Sequence, residues 1–219
     1  MAKRRDRWYR FVLWIARHIV LRFFSGGLKV YGEENVPKDG PVILAPIHVS
    51  FFDPPVVSCA SPRVVSFMAK DYLFKPPVFG PLIRSLNAFP VKSGNETAAV
   101  RTALDVLANG GTLIVFPEGT RGDGKALGAM QSGVAMLAKR SGAQVVPVGV
   151  YGSHRILPRG RKFPGFSPLR ASFGEPFTYA EAAGDDSREG RQRFLDRLAG
   201  AIAEQCRKVG LDVRIAPGP

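Results

Sequence analysis

A histidine and an aspartate five residues apart, His48 and Asp53, stand in an apolar part of the sequence. Histidine has the side chain whose ordinary pKa lies closest to neutrality, so an imidazole can remove a proton from a substrate hydroxyl. A carboxylate that holds the other ring nitrogen orients such a base and stabilises its charged form. Residues five apart lie about 140° apart round an ideal helix, so we predict a turn, with Asp53 capping a helix that Pro54 opens. The alternative is a histidine without a chemical role beside a capping aspartate, since this spacing arises easily by chance.

A second polar group, Pro-Glu-Gly-Thr-Arg at residues 117–121, follows the clearest predicted strand, at residues 112–116. Gly119 would allow a ligand to approach the backbone closely. The guanidinium of Arg121 offers a planar fork of donors that suits a phosphate group. The alternative for this segment is a surface turn.

Two lysines, Lys70 and Lys92, each follow a short apolar run that is predicted as a strand. Catalytic groups in open α/β sheets lie at the carboxyl ends of the strands. His48 and Arg121 also follow strands, so all four side chains are expected at one edge of the sheet, where the lysines would add positive charge. The alternative for the lysines is a solvated position.

The elements that would position these residues alternate between strands and helices. Strands are predicted at residues 28–31, 41–46, 63–68, 88–91, 112–116, 145–151 and 170–173, and helices at 56–60, 97–109, 132–140 and 187–208. This alternation predicts one α/β domain, at residues 28–219, with a largely parallel or mixed central sheet flanked by helices. Residues 155–170 are predicted to form a long surface loop, and the tail after Gly210 is predicted to fray.

Residues 1–27 form a distinct basic and aromatic segment that Gly26 and Gly27 would end. Wound as a helix, it groups its basic side chains on one arc and its apolar side chains on the other. The basic arc holds Arg7, Arg10, Arg17, His18 and Arg22, and the apolar arc holds Trp8, Val12, Ile15, Ala16, Ile19, Val20 and Phe23. The arginines interrupt the apolar run well before the ~18 residues that a spanning helix needs, and they are not typical of a signal peptide. The segment is therefore predicted to lie at a membrane interface, with packing on the domain as the alternative.

The composition indicates an anionic partner, since the net charge is +13 and the sequence pI is about 10.3. An anionic bilayer, a phosphorylated substrate or nucleic acid would each satisfy that charge. The sequence contains no nucleic-acid-binding motif, and the N-terminal aromatic residues fit an amphipathic membrane face better than base stacking. A non-catalytic binder of anionic membranes remains the alternative to an enzyme, whereas the absence of a Gly-x-Ser-x-Gly motif disfavours a serine hydrolase. The two cysteines and three histidines are scattered, so no metal site is predicted.

Three motifs in a fixed order resemble one family. They are His-x-x-x-x-Asp at His48 and Asp53, Phe-Pro-Glu-Gly-Thr-Arg at residues 116–121, and Val-Pro-Val-Gly at residues 146–149. The sequence resembles the glycerolipid acyltransferases, most closely the bacterial 1-acylglycerol-3-phosphate (lysophosphatidate) acyltransferases. Intervening blocks at residues 68–74 and 88–92 match as well, so the resemblance covers roughly residues 28–175.

The resemblance implies the fold of that family and a step in phospholipid biosynthesis. A fatty acyl group would pass from a thioester, carried by coenzyme A or an acyl carrier protein, to the free hydroxyl of 1-acylglycerol 3-phosphate, giving phosphatidic acid. Glycerol 3-phosphate or another lysophospholipid is the alternative acceptor. The resemblance implies no metal and no cofactor beyond the acyl donor. It places the protein peripherally on the cytoplasmic face of the membrane, where lysophosphatidate lies among anionic lipids and nucleic acid is not a partner.

The resemblance also implies roles for individual residues. His48 would take the proton from the acceptor hydroxyl, and Asp53 would orient His48 and stabilise its charge. Arg121 would bind the acceptor phosphate. The residues that would together form the acceptor and phosphate site are Lys70, Lys92, Glu118, Gly119, Thr120 and Arg121. The sequence departs from the family pattern at Ile47, where many members have Asn, and at Lys92, which replaces an arginine and so lacks its bidentate fork.

Overall fold

The computed structural model describes residues 2–92, 94, 96–158, 160 and 163–215. The strands in these residues are β1 (Leu28–Tyr31), β2 (Val42–Pro46), β3 (Val65–Lys70), β4 (Ala88–Val91), β5 (Thr112–Ile114), β6 (Ala126–Leu127), β7 (Gln144–Tyr151), β8 (Leu169–Phe173) and β9 (Arg214–Ile215). The α-helices are α1 (Ala2–Ile15), α2 (Arg22–Ser25), α3 (Asp53–Ala60), α4 (Phe79–Ser85), α5 (Thr97–Ala108), α6 (Ser132–Ser141), α7 (Ser153–Ile156), α8 (Tyr179–Ala183) and α9 (Arg188–Val209). A π-helical stretch, Ala16–Leu21, joins α1 to α2, and short 3₁₀ turns cover Glu33–Asn35 and Asp71–Phe74.

Seven of the strands form one mixed sheet in the order β1-β8-β7-β2-β5-β3-β4. Every neighbouring pair is parallel except β7 and β8, which are antiparallel. The predicted α/β class and largely parallel sheet are therefore confirmed. The strand β2 lies in the middle of the sheet, and all five of its residues are buried, as expected for a strand covered on both faces. Pro90, which has no N–H to donate to a sheet, lies on the edge strand β4.

Two groups of helices cover the sheet. Helix α9 packs along β7 and β8 and contacts α6 and α8, while α6 also contacts α5. Helix α3 packs on β1, β7 and β8, and it contacts the N-terminal helical segment, which in turn contacts α4. Because the two groups share no substantial contact, they lie on opposite faces of the sheet, as in other doubly covered parallel sheets.

The N-terminal helix has a side that packs and a side that does not. The Tyr9 hydroxyl accepts a hydrogen bond from the backbone N–H of Val65, 3.2 Å away, and Leu21 is buried in the core. Arg17 donates to the carbonyl of Cys59 at the end of α3. The apolar side chains that stay exposed are Trp8, Phe11, Trp14, Ile19, Val20 and Phe23. Within the described chain, no helix is both long and apolar enough to cross a membrane.

Some short elements were not predicted. Strands β6 and β9 pair with each other, and Val213 is buried, so the chain beyond Gly210 is anchored as far as residue 215 instead of fraying. The segment predicted as a surface loop at 155–170 includes the buried Ile156 and Ser167. Strands of two residues are too short to show an alternating pattern in the sequence, so they could not be predicted from it.

Candidate active site

The turn between β2 and α3 brings His48 and Asp53 together. The Nδ1 atom of His48 lies 2.9 Å from Oδ2 of Asp53. The same oxygen accepts hydrogen bonds from the backbone N–H groups of Val49 at 2.6 Å and Ser50 at 2.7 Å. Asp53 is fully buried, whereas the His48 side chain is 17% exposed. The carboxylate is thus held by three donors, which suits a charged group at a buried position.

Asp53 is the first residue of α3 rather than its cap, which corrects the predicted position. Phe52 occupies the capping position, and its side chain makes no capping hydrogen bond. The next two residues, Pro54 and Pro55, need no cap because they have no N–H group. The Asp53 carboxylate therefore turns back to the preceding loop, where backbone N–H groups require an acceptor.

The hydrogen-bond pattern also defines what His48 can do. A carboxylate oxygen at Nδ1 favours the tautomer in which Nδ1 carries the proton and donates it to Asp53. The other ring nitrogen, Nε2, then has a lone pair that can accept a proton. This arrangement provides a general base with an orienting carboxylate, which is suited to deprotonating a hydroxyl.

Glu118, on the turn after β5, has a buried carboxylate that contacts backbone N–H groups. Its Oε2 atom accepts from the N–H of His48 at 2.8 Å, and its Oε1 atom accepts from the N–H of Gly128 at 2.9 Å. The residue is 5% exposed. Burial raises the pKa of the Glu118 carboxyl above its usual range, although the two hydrogen bonds and the charge of His48 act in the opposite direction. The side chain therefore links the backbone of His48 to that of Gly128 inside the site.

Arg121 lies against the turn that carries His48 and Asp53. Its guanidinium carbon is 3.5 Å from the centre of the Phe51 ring. Its Nη1 atom is buried and has no hydrogen-bond partner among the described residues. Gly119 has φ of +68°, a left-handed conformation that favours glycine, and Thr120 beside it is exposed. A cation with an unused donor, next to an open turn, can receive an anionic group.

The strand register brings Lys70 and Lys92 to the same edge of the sheet. One row of paired residues crosses it through Leu44, Ile114, Phe67 and Ala88. His48, Glu118 and Lys92 each lie four residues beyond this row, and Lys70 lies three residues beyond it. Both lysines are exposed. Because β5 separates β3 from β2, Lys70 begins roughly 10 Å from the strand that carries His48.

Sequence reasoning missed His154. It lies in α7, directly after β7, so the rule that places functional groups at the ends of parallel strands would have found it. A side-chain carbon added to Gly124 would lie 3.8 Å from Val49 and 3.9 Å from the His154 ring, which puts the imidazole near the turn between β2 and α3. Burial lowers the pKa of His154, Arg155 lowers it further, and Asp53 opposes both.

The remaining polar groups do not form a metal centre. Within the described residues, no group of three His, Cys, Asp or Glu side chains could hold an ion. Cys59 and Cys206 are free and buried, and burial raises the pKa of each thiol to about 12. These thiols are therefore protonated and unreactive near neutral pH.

Comparisons with known proteins match the chain to one family. A family model described as acyltransferase matches residues 27–151. A 1-acyl-sn-glycerol-3-phosphate acyltransferase of Bacillus subtilis is 27% identical over 187 residues, which are 84% of this chain and 91% of that protein. One from Streptococcus pneumoniae is 31% identical over 134 residues, which are 59% of this chain and 49% of that protein.

A solved structure is also similar. The crystal structure of the 1-acyl-sn-glycerophosphate (LPA) acyltransferase PlsC from Thermotoga maritima superposes with a TM-score of 0.77 at 30% sequence identity. The match covers 95% of this chain and 80% of that one.

Proposed function

The chain belongs to the acyltransferase family, and from that membership we propose that it transfers a fatty acyl group from a thioester to the free hydroxyl of 1-acylglycerol 3-phosphate. The product would be phosphatidic acid. The proposal is supported by the names of the relatives in Bacillus subtilis and Thermotoga maritima, and by the contact of a histidine–aspartate pair with a turn that carries an arginine.

In the proposed reaction, Nε2 of His48 takes the proton from the acceptor hydroxyl as its oxygen attacks the thioester carbonyl. The tetrahedral intermediate collapses, the carbon–sulfur bond breaks, and the leaving thiolate receives the proton from the imidazolium. Asp53 stabilises the imidazolium between these two steps. A general base of this kind contributes about 10²–10⁴-fold to the rate, and positioning of the two substrates contributes the larger share.

The acceptor phosphate is proposed to bind Arg121. The unpartnered Nη1 donor and the support of the guanidinium by Phe51 favour a fixed anion site beside the base. A phosphate oxygen bound there would hold the glycerol hydroxyl near His48. Lys70 and Lys92, at the same edge of the sheet, would add positive charge for the acceptor phosphate or the donor's phosphates.

Access to a lipid acceptor is proposed to come from peripheral attachment at the cytoplasmic face of the membrane. The exposed aromatic residues of the N-terminal segment suit the bilayer interface, and the net charge of +13 favours anionic lipids. The same segment reaches the active site, because the ring centre of Phe24 lies 6.0 Å from that of Phe52. Either coenzyme A or an acyl carrier protein would serve as the donor, since both are anionic and soluble.

A product assay with a defined acceptor panel tests this function. The enzyme would receive a mixed pool of acyl thioesters and, in separate reactions, lysophosphatidate, glycerol 3-phosphate or an uncharged monoacylglycerol. Mass analysis is expected to detect phosphatidic acid from the first acceptor, and only background product from His48→Gln. A preference for glycerol 3-phosphate would establish the alternative acceptor. Absence of acyl transfer to any acceptor, with vesicle binding intact, would instead favour the non-catalytic membrane binder.

A further inference from the structure

The resemblance implies that Glu118 helps to form the acceptor site, but an acceptor-binding residue does not need a buried carboxylate, and that of Glu118 is buried. We propose that Glu118 is a positioning residue, which fixes the catalytic base through the backbone N–H of His48 rather than by contact with the acceptor. The inference rests on the proposed function only in taking His48 as the base. Its structural part concerns the free protein.

The first argument is that both carboxylate oxygens are already occupied. One accepts from His48 N–H at 2.8 Å and the other from Gly128 N–H at 2.9 Å. The two donors belong to different segments, one after β2 and the other after β6. The single side chain therefore joins the two segments that surround the active site. An ionised carboxylate accepts from two N–H groups at once, which neither an amide nor a hydroxyl side chain can do at the same two points.

The second argument is the low exposure of this carboxylate and the small space beside it. A side-chain carbon at Gly128 would lie 3.3 Å from Oε1, and one at Gly122 would lie 3.4 Å from the same atom. The space between Oε1 and each glycine is therefore no larger than about a methyl group, and Glu118 is only 5% exposed. Little of the side chain is open to a substrate, and both of its oxygens already accept backbone N–H groups, so contact with the acceptor does not account for the arrangement.

The third argument is that the same short segment holds His48 at two other points. The N–H of Gly122 donates to the His48 carbonyl at 2.8 Å, and the Phe116 ring is stacked on the imidazole with centres 3.9 Å apart. Residues 116–122 therefore fix the N–H, the carbonyl and one ring face of His48. Asp53 fixes only the Nδ1 edge of the ring. Glu118, together with Gly122 and Phe116, thereby holds the position of His48, and Asp53 orients its ring.

The test substitutes Glu118→Gln, which keeps the size of the side chain but offers one acceptor and one donor group. One of the two backbone N–H groups must then face another donor. The matched control is Glu175→Gln, which removes the same charge at an exposed position. Selective ¹⁵N-histidine labelling gives amide signals only from the three histidines of the chain, and the signal missing from His48→Gln identifies His48.

The expected result is a change in the His48 amide shift in Glu118→Gln, with the His18 shift unchanged and all three shifts unchanged in Glu175→Gln. In steady-state assays, kcat should fall by about 10–100-fold, because displacement of a catalytic group by a fraction of an ångström costs rates of this order. The KM for lysophosphatidate should stay within about threefold, since no contact made in the ground state is lost.

Two results would overturn the proposal. One is a His48 amide shift that does not respond to Glu118→Gln. The other is a tenfold or greater increase in KM for the acceptor at unchanged kcat, which would return Glu118 to the acceptor site. The amide measurement needs no substrate, so it tests the hydrogen bond between Glu118 and the His48 N–H even if the protein proves inactive on lysophosphatidate. Conversely, an unresponsive amide in an active enzyme would leave the proposed function intact.

Discussion

The guanidinium of Arg121 rests on the ring of Phe51, with 3.5 Å between the guanidinium carbon and the ring centre. Phe51 lies between His48 and Asp53 in the chain, so the candidate phosphate ligand and the candidate base share one supporting loop. A cation held over an aromatic face is stabilised by about 0.5–2 kcal/mol, depending on how far it is desolvated. Two motifs that are far apart in sequence are thus in direct contact through Phe51 and Arg121.

Replacement of Arg121 by methionine should weaken binding of phosphorylated acceptors. Loss of the guanidinium removes a charge-assisted contact of roughly 1.5–3 kcal/mol, which corresponds to a rise in KM for lysophosphatidate of about 10–100-fold. Turnover of an acceptor without phosphate, such as a monoacylglycerol, should change much less. Steady-state assays with the two acceptors provide the measurement. An equal loss with both acceptors would show that Arg121 supports the fold and not the phosphate.

Replacement of Asp53 by asparagine should separate its charge from its structural role. Only Oδ2 accepts hydrogen bonds, while Oδ1 has no partner among the described residues. Asparagine can therefore put its oxygen at the Oδ2 position and keep the three donors satisfied. We expect its free energy of unfolding to drop by less than about 2 kcal/mol, whereas turnover should fall by at least ~10²-fold because the imidazolium loses its counter-charge.

Chemical denaturation and an initial-rate assay on Asp53→Asn would measure both effects. Asp53→Ala is the comparison, since it leaves three donors without an acceptor and should lose clearly more stability. An Asp53→Asn protein that keeps near wild-type turnover would contradict a role for the charge.

The half-buried imidazole of His154 should make the protein less stable in mild acid. Burial lowers its pKa below the ordinary value of 6.5, so the unfolded chain takes up the proton first as the pH falls. The stability associated with the neutral ring is therefore complete above about pH 6.5 and declines as the pH falls through that value towards the lower pKa of the folded state. Urea unfolding of the wild type and His154→Gln at about pH 7.5 and about pH 5.5 should show a smaller loss in the variant. Equal losses in the two proteins would refute this assignment.

The exposed side of the N-terminal helix should govern binding to anionic vesicles. Trp14→Ser with Phe23→Ser removes two aromatic side chains that are 56% and 76% exposed, and each buried aromatic contributes roughly 1.5–3 kcal/mol on transfer from water. Vesicle flotation should therefore fall by at least tenfold, with an unchanged melting temperature. Deletion of residues 1–27 is a poorer test, because it also removes the buried Tyr9 and Leu21. Wild-type flotation by the double variant would argue against an interfacial role.

The elements that position the site could largely be predicted, since their signals are local. The apolar runs before His48 and Glu118 are strands β2 and β5. The helical spacing of apolar residues in the sequence corresponds to the buried face of α9. The strand-end rule then brought His48, Lys70, Lys92 and the 118–121 turn to one edge, as the register bears out.

The orientation of side chains within the site could not be predicted. The motif sequence does not show whether Glu118 faces solvent or accepts hydrogen bonds from the N–H groups of His48 and Gly128. The donor at Gly128 lies on a loop whose path depends on tertiary packing. The direction in which the Asp53 carboxylate points also depends on tertiary packing, so the motif alone does not predict it. This carboxylate was predicted to cap α3, but it accepts the N–H groups of residues 49 and 50 instead.

Gly149, in the Val-Pro-Val-Gly motif, lies where β7 meets α9, and a side-chain carbon there would lie 2.3 Å from the backbone carbonyl carbon of Gln205. An alanine at this position would have to push the long helix outward. In a mutational survey scored by growth or by lipid output, Gly149 would rank beside His48, although it is buried between β7 and α9. A parallel measurement of protein abundance would distinguish Gly149 variants, which fold poorly, from His48 variants, which fold but lack activity.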